Sequence, residues 1–93
     1  MGMDVNVRNV DDLAMFGRSI KKLGENMVSA MQQAKQKMNQ ACEGWNDNNA
    51  MKFQEEFDES LRSIQKISER FTEYAEYIRK YTDAVNVIRN MKL

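Results

Sequence analysis

The acidic stretch "EEFDE" places four carboxylates, Glu55, Glu56, Asp58 and Glu59, within five residues, where they are candidates for metal binding or acid–base catalysis. Carboxylates that face inward from neighbouring helices can bind metal ions, but such sites also use histidine ligands, and the chain has no histidine. These carboxylates lie outside the apolar stripe of their segment, as is typical of a solvated helix face. We therefore predict no metal site here.

Nucleophilic catalysis and cofactor binding also lack the residues that they require. The single cysteine, Cys42, has no imidazole partner to activate it, and no glycine-rich loop is present to hold phosphates. Cys42 is expected to be a small, semi-buried residue near a helix end, with a reactive or bridging thiol as the alternative. The eight methionines follow the helical stripes and are expected to fill the core. We predict a non-enzymatic protein without a cofactor.

Two long helices must position whatever site the chain has. The chain contains no proline, and its apolar residues recur at alternating steps of three and four, first from residue 13 to 42 and again from 50 to 88. The predicted dimer and core stripe consists of Leu13, Phe16, Ile20, Leu23, Met27, Met31, Met38, Phe53, Phe57, Leu61, Ile64, Phe71, Ile78 and Val85. We predict one all-α domain over 1–93, with helix one near 10–43, a bend at 44–48 and helix two near 48–91.

Capping residues mark where the helices begin and end. Asn9 or Asp11 precedes the first stripe, one of the residues 46–48 precedes the second, and Gly44 suits the end of helix one. The connection is too short for anything except an antiparallel hairpin. That hairpin brings Lys35 and Lys37 opposite the acidic stretch, which favours this register. Residues 1–8 have no stripe and are expected to be loosely ordered.

The apolar surface is wider than two helices cover. It extends beyond the stripe to Met15, Val28, Tyr77, Val87 and Met91. A second hairpin should therefore pack on the first and form a four-helix bundle on dimerisation, the partner being another copy or a different chain.

Two glycines, Gly17 and Gly24, interrupt helix one at an interval of one heptad. Each costs about 1 kcal/mol relative to alanine in a helix interior. Close approach of another helix would compensate that cost. The alternative is that both glycines are tolerated flaws.

Charge and hydropathy exclude several classes of partner. The 14 basic residues balance the 14 acidic ones, so nothing in the net charge favours nucleic acid or an acidic membrane. No stretch approaches the roughly 20 apolar residues of a membrane span, so we predict no membrane insertion. The first residues lack a basic region followed by an apolar core, so any export is expected to proceed without a cleaved signal peptide.

The bend carries Trp45, Asn46 and Asp47, with Phe53 and Phe57 on the first turns of helix two. A small helical hairpin with Trp-Xaa-small/polar at its bend resembles the Trp-Xaa-Gly, or ESAT-like, family of type VII secretion proteins. The resemblance implies a secreted substrate or a helper, cytoplasmic before export. It also implies a homodimer, or a heterodimer with a related hairpin or with the helical N-terminal domain of a toxin, and a secretion ATPase as a further candidate partner.

The chain departs from the pattern of that family in two places. The third motif residue is Asp47 instead of glycine, although an aspartate there can serve the same bend by capping helix two. Many members also carry a tyrosine followed four residues later by an acid, whereas Tyr74, Tyr77 and Tyr81 are followed at that distance by isoleucine, tyrosine and valine. A second chain would then have to supply this part of the signal.

Two interpretations of Trp45 remain open. By resemblance, the indole belongs to a recognition surface that the export machinery reads. Alternatively, it only staples the end of the hairpin by covering Ala41, Ala50 and Phe53. The corresponding alternative for the whole chain is a generic helical adaptor or structural bundle with no export role.

Overall fold

The computed structural model describes residues 9–91, which form two helices, α1 (Val10–Cys42) and α2 (Asn48–Asn90). The helices pack antiparallel into a hairpin 72 Å long and 19 Å by 14 Å across. This confirms the predicted all-α helical hairpin. The expectation of loose order for residues 1–8 lies outside the described residues.

Side-chain caps begin both helices. The Oδ1 atom of Asn9 accepts a hydrogen bond from the Asp12 N–H at 3.0 Å, and Oδ1 of Asp47 accepts one from the Ala50 N–H, also at 3.0 Å. Each bond satisfies one of the first-turn donors that a helix leaves unpaired. Helix α1 ends at Cys42, whose carbonyl accepts the Trp45 N–H at 3.1 Å. Gly44 follows that end but has no positive φ, so the bend does not use the conformational freedom of glycine.

The two helices meet along one line of residues on each, which we call its contact line. On α1 the contact line takes every seventh residue, and on α2 the spacing between successive residues alternates between four and three. All of these residues are buried or half-buried. The line on α1 passes through Val10, Gly17, Gly24, Met31 and Met38. The line on α2 passes through Ala50, Gln54, Phe57, Leu61, Ile64, Ser68, Phe71, Ala75, Ile78, Thr82 and Val85. Val85 is completely buried at the open end of the hairpin, opposite the bend.

Helix α2 leaves no free space for a side chain at either of the two glycines of α1. A Cβ atom at Gly17 would be 2.9 Å from Cγ2 of Ile78. At Gly24 it would be 2.9 Å from Oγ of Ser68 and 3.1 Å from the Cα of that serine. The structure therefore favours the interpretation that the glycines allow another helix to approach closely, over the alternative that they are tolerated flaws in α1. The approaching helix is α2 of the same chain.

Three residues of the predicted stripe, Phe16, Leu23 and Phe53, are exposed in the single chain, which corrects their placement in the intrachain core. On α1 the physical reason is that Gly17 and Gly24 lie on the contact line. The residues directly before them, Phe16 and Leu23, therefore point to the flank of the hairpin. The remaining stripe residues are buried or half-buried: Leu13, Ile20, Met27, Met31, Met38, Phe57, Leu61, Ile64, Phe71, Ile78 and Val85.

Ion pairs lie along one flank of the hairpin. Nζ of Lys35 is 2.7 Å from Oδ1 of Asp58, which agrees with the register that the charges favoured. Nearer the open end, Arg79 contacts Glu76 at 2.6 Å and Asp83 at 3.0 Å. Such exposed pairs contribute little stability but make this flank polar. Over residues 9–91, neither helix is apolar enough along a sufficient length to cross a membrane.

Candidate functional site

The bend holds an aromatic pair that is open to solvent. Trp45 lies in the connection and is 40% exposed, and the centroid of its ring is 6.3 Å from that of Phe53, with the planes tilted by 43°. Phe53 lies on the first turns of α2 and is also exposed. We call these two side chains the bend pair. Tilted rings at this separation attract each other weakly, which holds the indole in place without burying it.

The environment of Trp45 fits the staple interpretation only in part. Ala50 is buried and Phe53 contacts the indole, as a staple requires. Ala41 stays exposed, however, so the ring does not cover the end of α1. A ring with this much free surface keeps much of its apolar area available to a second molecule.

Asp47 ends the bend and begins the helix that follows it. Its carboxylate caps α2, and the Ala50 N–H that it accepts is the main reason why the pKa of Asp47 is lowered. Burial opposes that shift, whereas the Trp45 side chain and the Asn49 N–H reinforce it through hydrogen bonds. The same carboxylate therefore begins α2 and interacts with the indole. Asn46, between the two, is exposed.

We expect Asp47→Ala to lower the melting temperature at neutral pH, whereas Asp47→Asn should keep most of it, since asparagine is an equally good N-cap. The pKa of Asp47 is lower in the folded chain, so its carboxylate stabilises the fold above the unfolded pKa. This stabilisation by the carboxylate is lost as the pH falls through the folded pKa of Asp47. Asp47→Asn has no carboxylate, so its stability should not show this pH dependence. Circular dichroism melts at neutral and acidic pH measure both effects. Unchanged melting of Asp47→Ala at neutral pH would contradict the capping role.

The acidic stretch does not converge on a site. Glu55, Glu56 and Glu59 are exposed, and Asp58 is paired with Lys35 on the polar flank. Among the described residues, no group of three or more acidic, cysteine or histidine side chains is arranged to hold a metal ion. Cys42 is half-buried next to the bend.

Sequence reasoning missed one exposed residue beside the bend pair. Met51 lies on the first turn of α2, between the buried Ala50 and Phe53, and is largely exposed. The sequence did indicate that Met51 would be exposed, because it lies outside the apolar stripe. The other large apolar side chains that are exposed are Met15, Phe16, Leu23, Ile67, Tyr74, Tyr77, Val87, Ile88 and, just after the end of α2, Met91.

The fold and the site together define a class: an antiparallel helical hairpin that carries a solvent-exposed tryptophan at its bend. Comparison of the chain with protein-family models, with curated proteins and with solved structures gives no match. The likeness to the Trp-Xaa-Gly family therefore rests on the bend residues and on the hairpin alone.

Proposed function

We propose that this chain is a non-enzymatic protein of the type VII secretion pathway. It is either a secreted substrate or a helper that pairs with another helical hairpin for export. The observation that carries the proposal is the position of Trp45, a large ring with 40% of its surface open to solvent at the tip of the hairpin. Tryptophan is the residue type most enriched among side chains that dominate protein interfaces.

The bend supports recognition because it presents the indole in a defined orientation. The cap by Asp47 begins α2, and the ring of Phe53 supports one side of the indole. Binding therefore does not need to order the tryptophan first, and this lowers the entropic cost of association. Asp47 caps α2 whichever residue stands at position 45, so the cap does not explain why that position carries a large ring.

Pairing with a second hairpin is the second part of the proposal. The large apolar side chains that remain exposed on both helices favour a dimer in which two hairpins form a four-helix bundle. The partner is a second copy, a related hairpin or the helical N-terminal domain of a toxin. Such a partner would also supply the tyrosine-to-acid signal that Tyr74, Tyr77 and Tyr81 do not form.

The proposed route is export from the cytoplasm without a cleaved signal peptide, through a secretion ATPase of the FtsK/SpoIIIE type. A tagged chain expressed in its native host, with and without that ATPase, tests this route. We expect the chain in the medium of the parent strain and only in the cells of the deletion strain. A tagged protein that leaves by a cleaved signal peptide serves as the control.

Equal amounts of the chain in the two media would overturn the export route, as would retention in both strains when the neighbouring gene products are present. Either result would leave the chain as a helical adaptor with no export role. Complementation with the ATPase gene must restore export, which excludes a general effect of the deletion on growth or lysis.

A further inference from the structure

A groove lies between α1 and α2 on the polar flank, near the open end of the hairpin. Its volume is about 520 Å³, which is in the range of ligand-binding pockets. The lining residues that are not exposed are small and form its floor: Ala14, Gly17, Ala75 and Thr82. On α1 the groove extends over residues 11–21, which is about 15 Å of helix. The charged residues that line it are all exposed, so the groove is open to solvent along its length.

The three carboxylates of the groove are already compensated within the chain. Nε and Nη2 of Arg79 both donate to the carboxylate of Glu76, at 3.1 Å and 2.6 Å, and Nη1 donates to Asp83 at 3.0 Å. Asp11 lies in the first turn of α1, where the helix dipole stabilises a negative charge. A cationic ligand would have to compete with these interactions.

The two other cations of the groove, Arg18 and Lys21, lack such partners. Within the described range 9–91, neither belongs to an ion pair. The pKa of Glu76 is lowered mainly by its hydrogen bond from Arg79, and the charge of Lys21 contributes least. Residues three apart are neighbours on a helix surface, so the two cations lie close together and repel each other weakly. An anion bound between them would remove this repulsion and accept charge-assisted hydrogen bonds.

The shape of the groove favours a linear ligand. A pocket for a small molecule usually encloses most of that molecule, whereas this groove is open along one side. A length of about 15 Å holds about four or five residues of an extended chain, at about 3.3 Å per residue. The small residues of the floor leave room for a main chain with small side chains to lie between the helices.

We propose that this groove binds a short acidic segment of a partner protein in an extended conformation. Acidic side chains of the segment pair with Arg18 and Lys21, and its small apolar side chains lie over the floor of the groove. Arginine-containing clusters are a recurring means of recognising acidic motifs. About 30 Å of α1 separates Lys21 from the bend, so this site and Trp45 are separate, and the inference does not depend on export.

An NMR titration of the full ¹⁵N-labelled chain tests the proposal. The probe is a blocked pentapeptide of two glutamates followed by three alanines. We expect the amide signal of Gly17 to shift while those of Gly24 and Gly44 stay, since of these three glycines only Gly17 lines the groove. The Kd should be on the order of 1 mM at low salt and should rise with salt, which screens the ion pairs. The same peptide with glutamines in place of its glutamates should not bind.

Charge variants locate the binding. Arg18→Glu and Lys21→Glu should each raise the Kd by about tenfold or more, the effect of losing a hydrogen bond to a charged group. Lys22→Glu is the matched control, because it makes the same charge change at an exposed neighbour that does not line the groove, and it should bind like the wild type. Ala14→Leu keeps every charge but fills the floor, so it should also weaken binding.

Thermal melts show whether each variant is folded. If Lys21→Glu loses helicity, Lys21→Gln gives the second measurement, because it removes the positive charge without adding a negative one. It should stay folded and still bind the glutamate peptide more weakly than the wild type. Trp45→Ala should bind the peptide normally, since the bend lies outside the groove.

An unshifted Gly17 signal at about 10 mM peptide would overturn the proposal, since a site with a Kd near 1 mM would then be almost full. Equal binding of the glutamate and glutamine peptides, or equal weakening by Lys21→Glu and Lys22→Glu, would also overturn it. Vesicles of phosphatidylglycerol are the second probe. A chain that sediments with these vesicles through Arg18 and Lys21 but does not bind the peptide would assign the cations to a lipid and refute a protein segment. Peptide binding by a chain that is not exported would refute the proposed function and leave this inference standing.

Discussion

Gly24→Ala is expected to lower the free energy of unfolding by about 1–3 kcal/mol, the usual cost of forcing an extra methyl group into a packed region. In an exposed helix the same change would gain about 1 kcal/mol of helix propensity. Here the added Cβ would lie 3.1 Å from the Cα of Ser68 and 3.3 Å from the Cβ of Phe71. Backbone atoms cannot rotate away, so the helices have to separate.

The chain offers a control and a second test for this prediction. No atom lies within 4 Å of a Cβ built at Gly44, so Gly44→Ala should change stability by no more than about 0.5 kcal/mol. Removal of the Ser68 hydroxyl by Ser68→Ala should not rescue Gly24→Ala, because the backbone at position 68 would still obstruct the added methyl group. Denaturant unfolding at one fixed protein concentration measures all three variants. A Gly24→Ala variant more stable than the wild type would contradict the close approach of the two helices at this point.

The hairpin could be predicted because its signals are local. The three-and-four spacing specifies helices, and a cap forms where a polar side chain precedes a stripe, as Asn9 and Asp47 do. The sequence left several candidate capping residues open for each helix, and the structure shows that Asn9 and Asp47 form the caps. Each cap requires only a side chain and an N–H three residues later, so the beginning of each helix follows from the adjacent sequence.

The face of α1 that meets α2 could not be predicted in the same way. Two adjacent lines on α1 compete, one containing Phe16 and Leu23 and the other containing Gly17 and Gly24. Hydrophobicity favours the first line because glycine has no apolar side chain to bury. The helices meet along the second because glycine lets their backbones approach and gain dispersion energy along their length. That gain in dispersion energy depends on how the surfaces of the two helices fit each other, so the pattern of α1 alone does not predict it.

The bend site was predictable in its location but not in its packing. The position of Trp45 between two stripes implied a connection, and Asp47 was a candidate cap. Whether the indole covers Ala41 or lies against Phe53 depends on the path of residues 43–47, which no periodic pattern specifies. The structure places the ring beside Phe53 and leaves Ala41 exposed.

Trp45→Ala is expected to abolish export while the chain stays folded. The indole is 40% exposed and its ring packs against Phe53, so truncation should cost about 1 kcal/mol, the scale of one aromatic pair. A fully buried tryptophan would cost about 3–5 kcal/mol. Loss of an aromatic anchor at an interface often costs about 2 kcal/mol or more in binding, which corresponds to about thirtyfold in affinity. The effect on recognition should therefore exceed the effect on folding.

Trp45→Phe is the conservative variant and Phe53→Ala the neighbouring control. A phenylalanine at position 45 keeps part of the ring packing but loses the indole N–H, which contributes to the lowered pKa of Asp47. We expect Trp45→Phe to be exported less than the wild type and more than Trp45→Ala. Phe53→Ala removes the support of the indole but not the indole itself, so it should reduce export only in part.

If Trp45 acts in recognition and not only in packing, the decisive quantity is the amount of Trp45→Ala in the culture medium per amount of folded chain in the cell. It is measured with the neighbouring gene products present and beside the thermal melt of the purified variant. We predict a loss of more than about tenfold in exported protein, at a melting temperature within a few degrees of the wild type. Normal export of folded Trp45→Ala, or an unfolded variant, would contradict this account.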